Sequence, residues 1–232
     1  MPALIRVGHR GAPVFAPDNT IASFDAALAV GVDMIEFDIL PARRNSRDLY
    51  IAHDYGALDR SRSLTLSAAL EHFSTAPYAG IRLQLDIKRR GVEQRVLEAL
   101  DASGTRSRAF ISTGLRGVLP RFRELAPDIP RGWTVPDIPG IGSAPGFGRL
   151  YAARMPARAG ARIRAGEVHA LVPHFSLVNA ALVEAVSAAG GEIYVWTVNA
   201  AAELARLAAL GVTGVITNDP RLFSTIEQTD AL

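Results

Sequence analysis

The feature that most constrains this chain is an alternation. Short β-rich runs recur eight times along 232 residues, and alanine- and leucine-rich stretches of helical length separate most of them. The strand-like runs fall at residues 4–8, 33–39, 82–87, 108–112, 131–135, 169–172, 192–198 and 214–217. Helical patterns occupy 20–30, 92–102, 115–125, 177–189 and 201–210. Strands that alternate with helices form a parallel sheet joined by right-handed crossovers. Eight such units in a chain of this length favour a closed barrel over an open sheet, and no glycine-rich dinucleotide fingerprint follows the first run. The expectation is an α/β fold, a (β/α)₈ TIM barrel, with residues 1–232 as a single domain.

Local punctuation agrees. Residues 20–28 carry apolar side chains at helical spacing, with Asp18 or Asn19 as the expected N-cap. Gly31, Gly190 and Gly211 stand just past helix ends, where a left-handed residue closes the last turn. Two regions break the rhythm. Residues 41–48 lead into an extra short strand, 49–52, before His53. Residues 136–148 are rich in glycine and proline and read as a loop, and the arginine-rich stretch 149–164 reads as an exterior helix with a solvated face. A lid over a phosphate is the competing reading of that stretch.

Composition removes several classes. There is no cysteine, which excludes a disulfide framework, a thiolate metal site and a cysteine nucleophile. The formal net charge is only +2, Lys88 is the single lysine, and the arginines are interspersed with acids. That is a solvated surface, and no nucleic-acid-binding motif accompanies it. No segment approaches a membrane span, so stable membrane insertion is not expected and a cytoplasmic location is. Oligomeric state leaves no mark in the sequence.

In a barrel of this kind functional groups gather at the carboxyl ends of the strands. His9 and Arg10 follow the first strand. Glu36 and Asp38 stand two apart in the second, so both point to the same face; Gln84, Asp86 and Lys88 repeat that spacing in the third. Inward carboxylates are costly to bury unless something pairs with them. A hard divalent cation held by oxygen ligands meets that need and leaves Arg10 and Lys88 to receive an anion. Each piece also has a plainer reading: an internal ion pair to Arg10 or Lys88, a polar turn at His9-Arg10-Gly11, a strand end at His53-Asp54. Of the other histidines, His72 reads as a surface or packing residue, His169 as the start of a strand, and His174 as structural or pocket-facing.

The order of short motifs resembles one family. His9-Arg10-Gly11, Ala16-Pro17-Asp18-Asn19-Thr20, Ile35-Glu36-Phe37-Asp38, His53-Asp54 with Leu58-Asp59-Arg60, Leu85-Asp86-Ile87-Lys88, Trp196-Thr197-Val198-Asn199 and Gly214-Val215-Ile216-Thr217-Asn218-Asp219-Pro220 occur in the sequence order of the glycerophosphodiester phosphodiesterases. The resemblance implies a (β/α)₈ barrel that hydrolyses a small-molecule glycerophosphodiester to sn-glycerol 3-phosphate and an alcohol. It implies His9 and His53 as catalytic residues and Glu36, Asp38 and Asp86 as ligands of a divalent cation, Mg²⁺ or Ca²⁺. It further implies Arg10 and Lys88 at the phosphate and Trp196 lining the pocket.

The chain departs from the family pattern in four places. Asp18 and Asp86 stand where glutamate is usual, which keeps the charge and shortens the reach by one methylene. Residues 40–48 replace the usual Thr-x-Asp-Gly turn, and the insertion after His53-Asp54 is shortened to residues 55–81. A more open site with an unusual leaving group follows as one expectation, and lowered activity as another. Two alternatives to the main reading are a lysophospholipase D-like phosphodiesterase and a degenerate barrel that binds phosphodiesters without turnover. A zinc amidohydrolase is disfavoured because no His-x-His follows the first strand.

Overall fold

A computed structural model describes residues 3–42, 48–59, 62–136 and 147–227. Arg60, most of the segment 40–48 and most of the loop 136–148 lie outside the described residues. Nine strands are present among those described: β1 (Ile5–His9), β2 (Met34–Pro41), β3 (Leu49–Ile51), β4 (Arg82–Ile87), β5 (Ala109–Thr113), β6 (Arg131–Val135), β7 (Ala170–Pro173), β8 (Glu192–Val195) and β9 (Gly214–Thr217). Eight are parallel and close into a barrel, β1 pairing with β2 on one side and with β9 on the other. β3 is the exception. It runs antiparallel to the end of β2, with Ile39 opposite Ile51.

The helices are α1 (Ile21–Val30), α2 (Leu66–Phe73), α3 (Glu93–Ser103), α4 (Val118–Leu125), α5 (Phe147–Arg164), α6 (Ala180–Ala188), α7 (Ala201–Ala209) and α8 (Ser224–Glu227). They cover the outer face of the strands. Side-chain parity divides the core into two layers, as strand geometry requires. Val7, Met34, Phe110, Val172, Tyr194 and Ile216 point inward and fill the barrel. The alternate residues of each strand, such as Phe37, point outward and meet the helices. Phe24 of α1, Phe37 of β2 and Phe73 of α2 form one such contact, with ring centroids 4.9–5.9 Å apart. Truncating any of these fully buried rings to alanine is expected to cost about 3–5 kcal/mol.

Several boundaries move relative to the sequence reading. Neither Asp18 nor Asn19 caps α1: Thr20 does, its hydroxyl accepting from the Ser23 amide at 3.3 Å, because Asn19 turns into the barrel instead. The expected helix at 177–189 starts at Ala180, after a 3₁₀ turn at Phe175–Leu177. The helix α2 lies within the shortened insertion, in the alanine-rich stretch around His72 whose pattern is helical. Its buried Leu66, Ala69, Leu70 and Phe73 have the spacing of one helical face. Gly31, Gly190 and Gly211 take left-handed φ angles of 92°, 75° and 77° after their helices. In α5 the arginines are not all solvated, since Arg158 and Arg162 lie over the outward ring of Trp133 at 4.9 and 4.5 Å.

Candidate active site

The carboxyl end of the barrel collects the charged inward residues. β1 ends at His9, and Arg10 and Gly11 turn the chain sharply with φ of 55° and 90°. Ser23 in the first turn of α1 holds this corner: its hydroxyl donates to the Arg10 carbonyl at 2.9 Å and accepts from the Ala12 amide at 2.8 Å. The Arg10 guanidinium is thereby directed over the barrel, with Nε 2.9 Å from Asp38 Oδ2 and Nη1 3.0 Å from Asp18 Oδ2. The Arg10 amide donates to Glu36 Oε2 at 3.0 Å.

Glu36, Asp38 and Asp86 are all buried, and each offers a carboxylate oxygen within 4.8 Å of the others. The register explains this, because Asp38 and Asp86 are direct partners across β2 and β4. Asp38 is enclosed completely. Asn19 reaches it twice, donating to Oδ2 at 3.0 Å and accepting from its amide at 3.2 Å. Lys88 Nζ lies 2.7 Å from Asp38 Oδ1 and also pairs with Asp86 Oδ2. Asp86 Oδ1 accepts from Ser112 Oγ at 2.7 Å and Thr134 Oγ1 at 3.2 Å. The internal ion pairs weighed against a cation site in the sequence are therefore present.

They do not balance the charge. Three carboxylates face two cationic side chains, and the imbalance falls on Glu36, whose pKa burial and the neighbouring Asp38 push well above the usual carboxylate range. Burial also pushes Asp38 up, but Lys88 and Arg10 outweigh it and hold this group below its ordinary value. For Lys88 burial works downward, and Asp86 and Asp38 more than reverse it, so it stays charged. Three clustered oxygen donors with one negative charge uncompensated fit a hard divalent cation.

The two histidines differ. His9 is largely buried, and its Nδ1 lies 2.6 Å from Asn218 Oδ1. An amide oxygen only accepts, so Nδ1 carries the hydrogen and Nε2 presents a lone pair, 3.9 Å from Glu36 Oε2. Burial, then the Arg10 charge, lower the His9 pKa to about 4, so the ring is neutral at neutral pH. His53 follows β3, whose return beside β2 is fixed by the Ala52 amide donating to the Asp38 carbonyl at 3.2 Å. Its side chain is 45% exposed and pairs with Asp54 at 3.1 Å. Trp196 completes the wall, its indole N–H donating to the Val172 carbonyl at 2.9 Å.

One cavity is lined by His9, Arg10, Glu36, His53, Gln84, Asp86, Lys88, Thr134 and Trp196, over a floor of Val172 and Ile216. All eight residues singled out from the sequence thus meet here: seven line the cavity, and Asp38 joins through its contacts to Arg10 and Lys88. A wider groove of about 480 Å³ adjoins it and shares Arg10 and His53. His174 stays outside the lining and packs edge-on against Trp196, 5.6 Å between centroids. His72 is bound at the surface, 2.7 Å from Asp25. His169 accepts from the Arg131 amide at 3.1 Å, away from the site. The sequence reading passed over Asn19 and Asn218 as functional residues, and it did not single out Ser112 and Thr134. Inward parity at strand ends was the available signal for Ser112, Thr134 and Asn218. Asn19 had none.

Comparison with known proteins agrees with this picture. The chain is 28% identical over 244 residues to the protein YhdW of Bacillus subtilis (strain 168), covering 92% of this chain and 94% of the relative. It is 24% identical over 249 residues to the glycerophosphodiester phosphodiesterase of Caldanaerobacter subterraneus subsp. tengcongensis, covering 92% and 93%. Among solved structures, the Oleispira antarctica phosphodiesterase in complex with sn-glycerol 3-phosphate superposes with a TM-score of 0.73 at 22% identity, covering 97% of each chain. Residues 9–61 and 65–222 match the model of the glycerophosphoryl diester phosphodiesterase family, so the chain belongs to that family and is a phosphodiesterase enzyme.

Proposed function

We propose that this enzyme hydrolyses glycerophosphodiesters to sn-glycerol 3-phosphate and an alcohol, with a divalent cation, Mg²⁺ or Ca²⁺, held by Glu36, Asp38 and Asp86. The observation that carries the reading is the convergence of two histidines, two carboxylates, Arg10 and Lys88 on one cavity, with Asp38 buried directly behind it in the same acidic cluster. The similar Oleispira antarctica structure, with its bound sn-glycerol 3-phosphate, supports the substrate class. When bound, the cation would supply charge neutralisation at the phosphoryl oxygens. Arg10 and Lys88 orient the anionic diester beside it.

The histidine environments divide the acid–base work. His9, neutral with Nε2 as a lone-pair acceptor, takes the proton of the attacking hydroxyl or water. His53, half-exposed beside Asp54 and the adjoining groove, returns a proton to the departing alkoxide. The leaving alcohol exits through that groove. Its openness follows from the short segment after His53-Asp54, and it accommodates varied alcohols.

The test is release of glycerol 3-phosphate from glycerophosphocholine and related diesters with Mg²⁺, Ca²⁺ or EDTA. A folded, cation-supplied protein inert on the whole panel overturns the reading. Tight diester binding without product would instead identify the degenerate binding barrel. The roles separate with an activated leaving group. His53→Ala should recover most of its lost turnover on a p-nitrophenyl diester, which needs no protonation, whereas His9→Ala should not. A second reading, a lysophospholipase D-like activity, is favoured by exposed Val14 and Phe15 after β1 and Tyr55 after β3, at the same end as the site. Faster turnover of a lysophospholipid than of its deacylated head group would establish it.

A further inference from the structure

Asp86 is one of two short carboxylates in the cluster. Its surroundings are elaborate. Ser112 of β5 and Thr134 of β6 both direct hydroxyls at Oδ1, at 2.7 and 3.2 Å, while Lys88 pairs with Oδ2. Gln84 Nε2 lies 3.1 Å from Ser112 Oγ.

The chemistry of these groups fixes the direction of each bond. A carboxylate oxygen only accepts, so the single hydroxyl hydrogen of Ser112 goes to Asp86. Ser112 Oγ is then left to accept, and only the amide nitrogen of Gln84 can donate to it. The arrangement is a directed chain, Gln84 to Ser112 to Asp86, joined at its end by Thr134. Ser112 is fully buried and Gln84 is 2% exposed, so no bulk water competes for these bonds. The two donors to Oδ1 sit on strands other than β2 and β4, which carry the three acids. They tie Asp86 to the next two staves of the barrel.

We propose that Ser112 and Thr134 are positioning residues that make Asp86 a one-oxygen ligand. By filling the two lone-pair sites of Oδ1 they stop the carboxylate from rotating and leave Oδ2, which Lys88 also holds, as the oxygen that would face a cation. The inference rests on the divalent-cation reading above.

The test compares Ser112→Ala, Thr134→Val and the conservative Thr134→Ser with the wild-type protein. Ser112→Ala and Thr134→Ser each remove one heavy atom, and Thr134→Val exchanges a hydroxyl for a methyl group. Mg²⁺ and Ca²⁺ affinity is measured by isothermal titration of the metal-free proteins, whose unfolding is measured in parallel. Ser112→Ala is expected to weaken cation binding by about 10–100-fold, the usual effect of removing a partner that orients a ligand. Thr134→Val acts in the same direction, and Thr134→Ser keeps the wild-type affinity. A merely structural role would lower the stability of the metal-free variants and leave their cation affinity unchanged; that result overturns the assignment alone. Failure of the wild-type protein to take up either ion overturns both this inference and the cation reading.

Discussion

The corner after β1 can be tested with two glycines that share a backbone angle and differ in surroundings. Gly11 has φ +90°, and a Cβ there would lie 2.4 Å from Ser23 Oγ and 2.6 Å from the Ser23 carbonyl carbon and oxygen. The hydroxyl can rotate away; the helix backbone cannot. Gly31 has φ +92°, but nothing lies within 4 Å of its added Cβ. Both alanine variants incur about 1–2 kcal/mol for a left-handed L-residue. Gly11→Ala adds about 1–3 kcal/mol of overpacking. The expected losses are therefore about 2–5 kcal/mol for Gly11→Ala and about 1–2 for Gly31→Ala. Urea denaturation with linear extrapolation measures both. Gly11→Ala should also lower turnover beyond Gly31→Ala, because the same corner aims the Arg10 amide at Glu36 and its guanidinium at Asp38. Equal stabilities within about 0.5 kcal/mol, the additivity error of such measurements, with unimpaired turnover would refute the reasoning.

Asn19→Ala removes two hydrogen bonds to Asp38 and leaves a buried amide and a buried carboxylate short of partners. A loss of about 2–3 kcal/mol in denaturant is expected, together with weaker cation binding. His9 makes stability pH-dependent in a stated direction. The unfolded ring protonates near 6.5 and the native one only near 4, so as pH falls through that window the unfolded chain binds a proton that the native protein does not. Metal-free wild type should lose about 2–3 kcal/mol more than His9→Gln between pH 7 and pH 4.5. Parallel losses in the two proteins would remove His9 as the cause.

The sequence by itself determined the architecture and named most residues of the candidate site. Eight β-runs set between helices admit few topologies other than a parallel barrel, since each strand must be followed by a crossover. Period-two parity then put Glu36 with Asp38, and Asp86 with Lys88, on the inner face. What local pattern could not determine was which neighbour satisfies which charge. Asn19 has every mark of a helix cap, and only the approach of α1 to β2 turns it inward on Asp38 while Thr20 takes the cap. Asn218 is an ordinary strand-end residue until barrel closure sets it 2.6 Å from a histidine 209 positions away. Ser112 and Thr134 look like strand filler, and their hydroxyls acquire a task only where β5 and β6 pass Asp86. The division has one cause. Periodicity is a property of adjacent residues, whereas the partner of a buried charge is chosen by whichever strand closure brings alongside it.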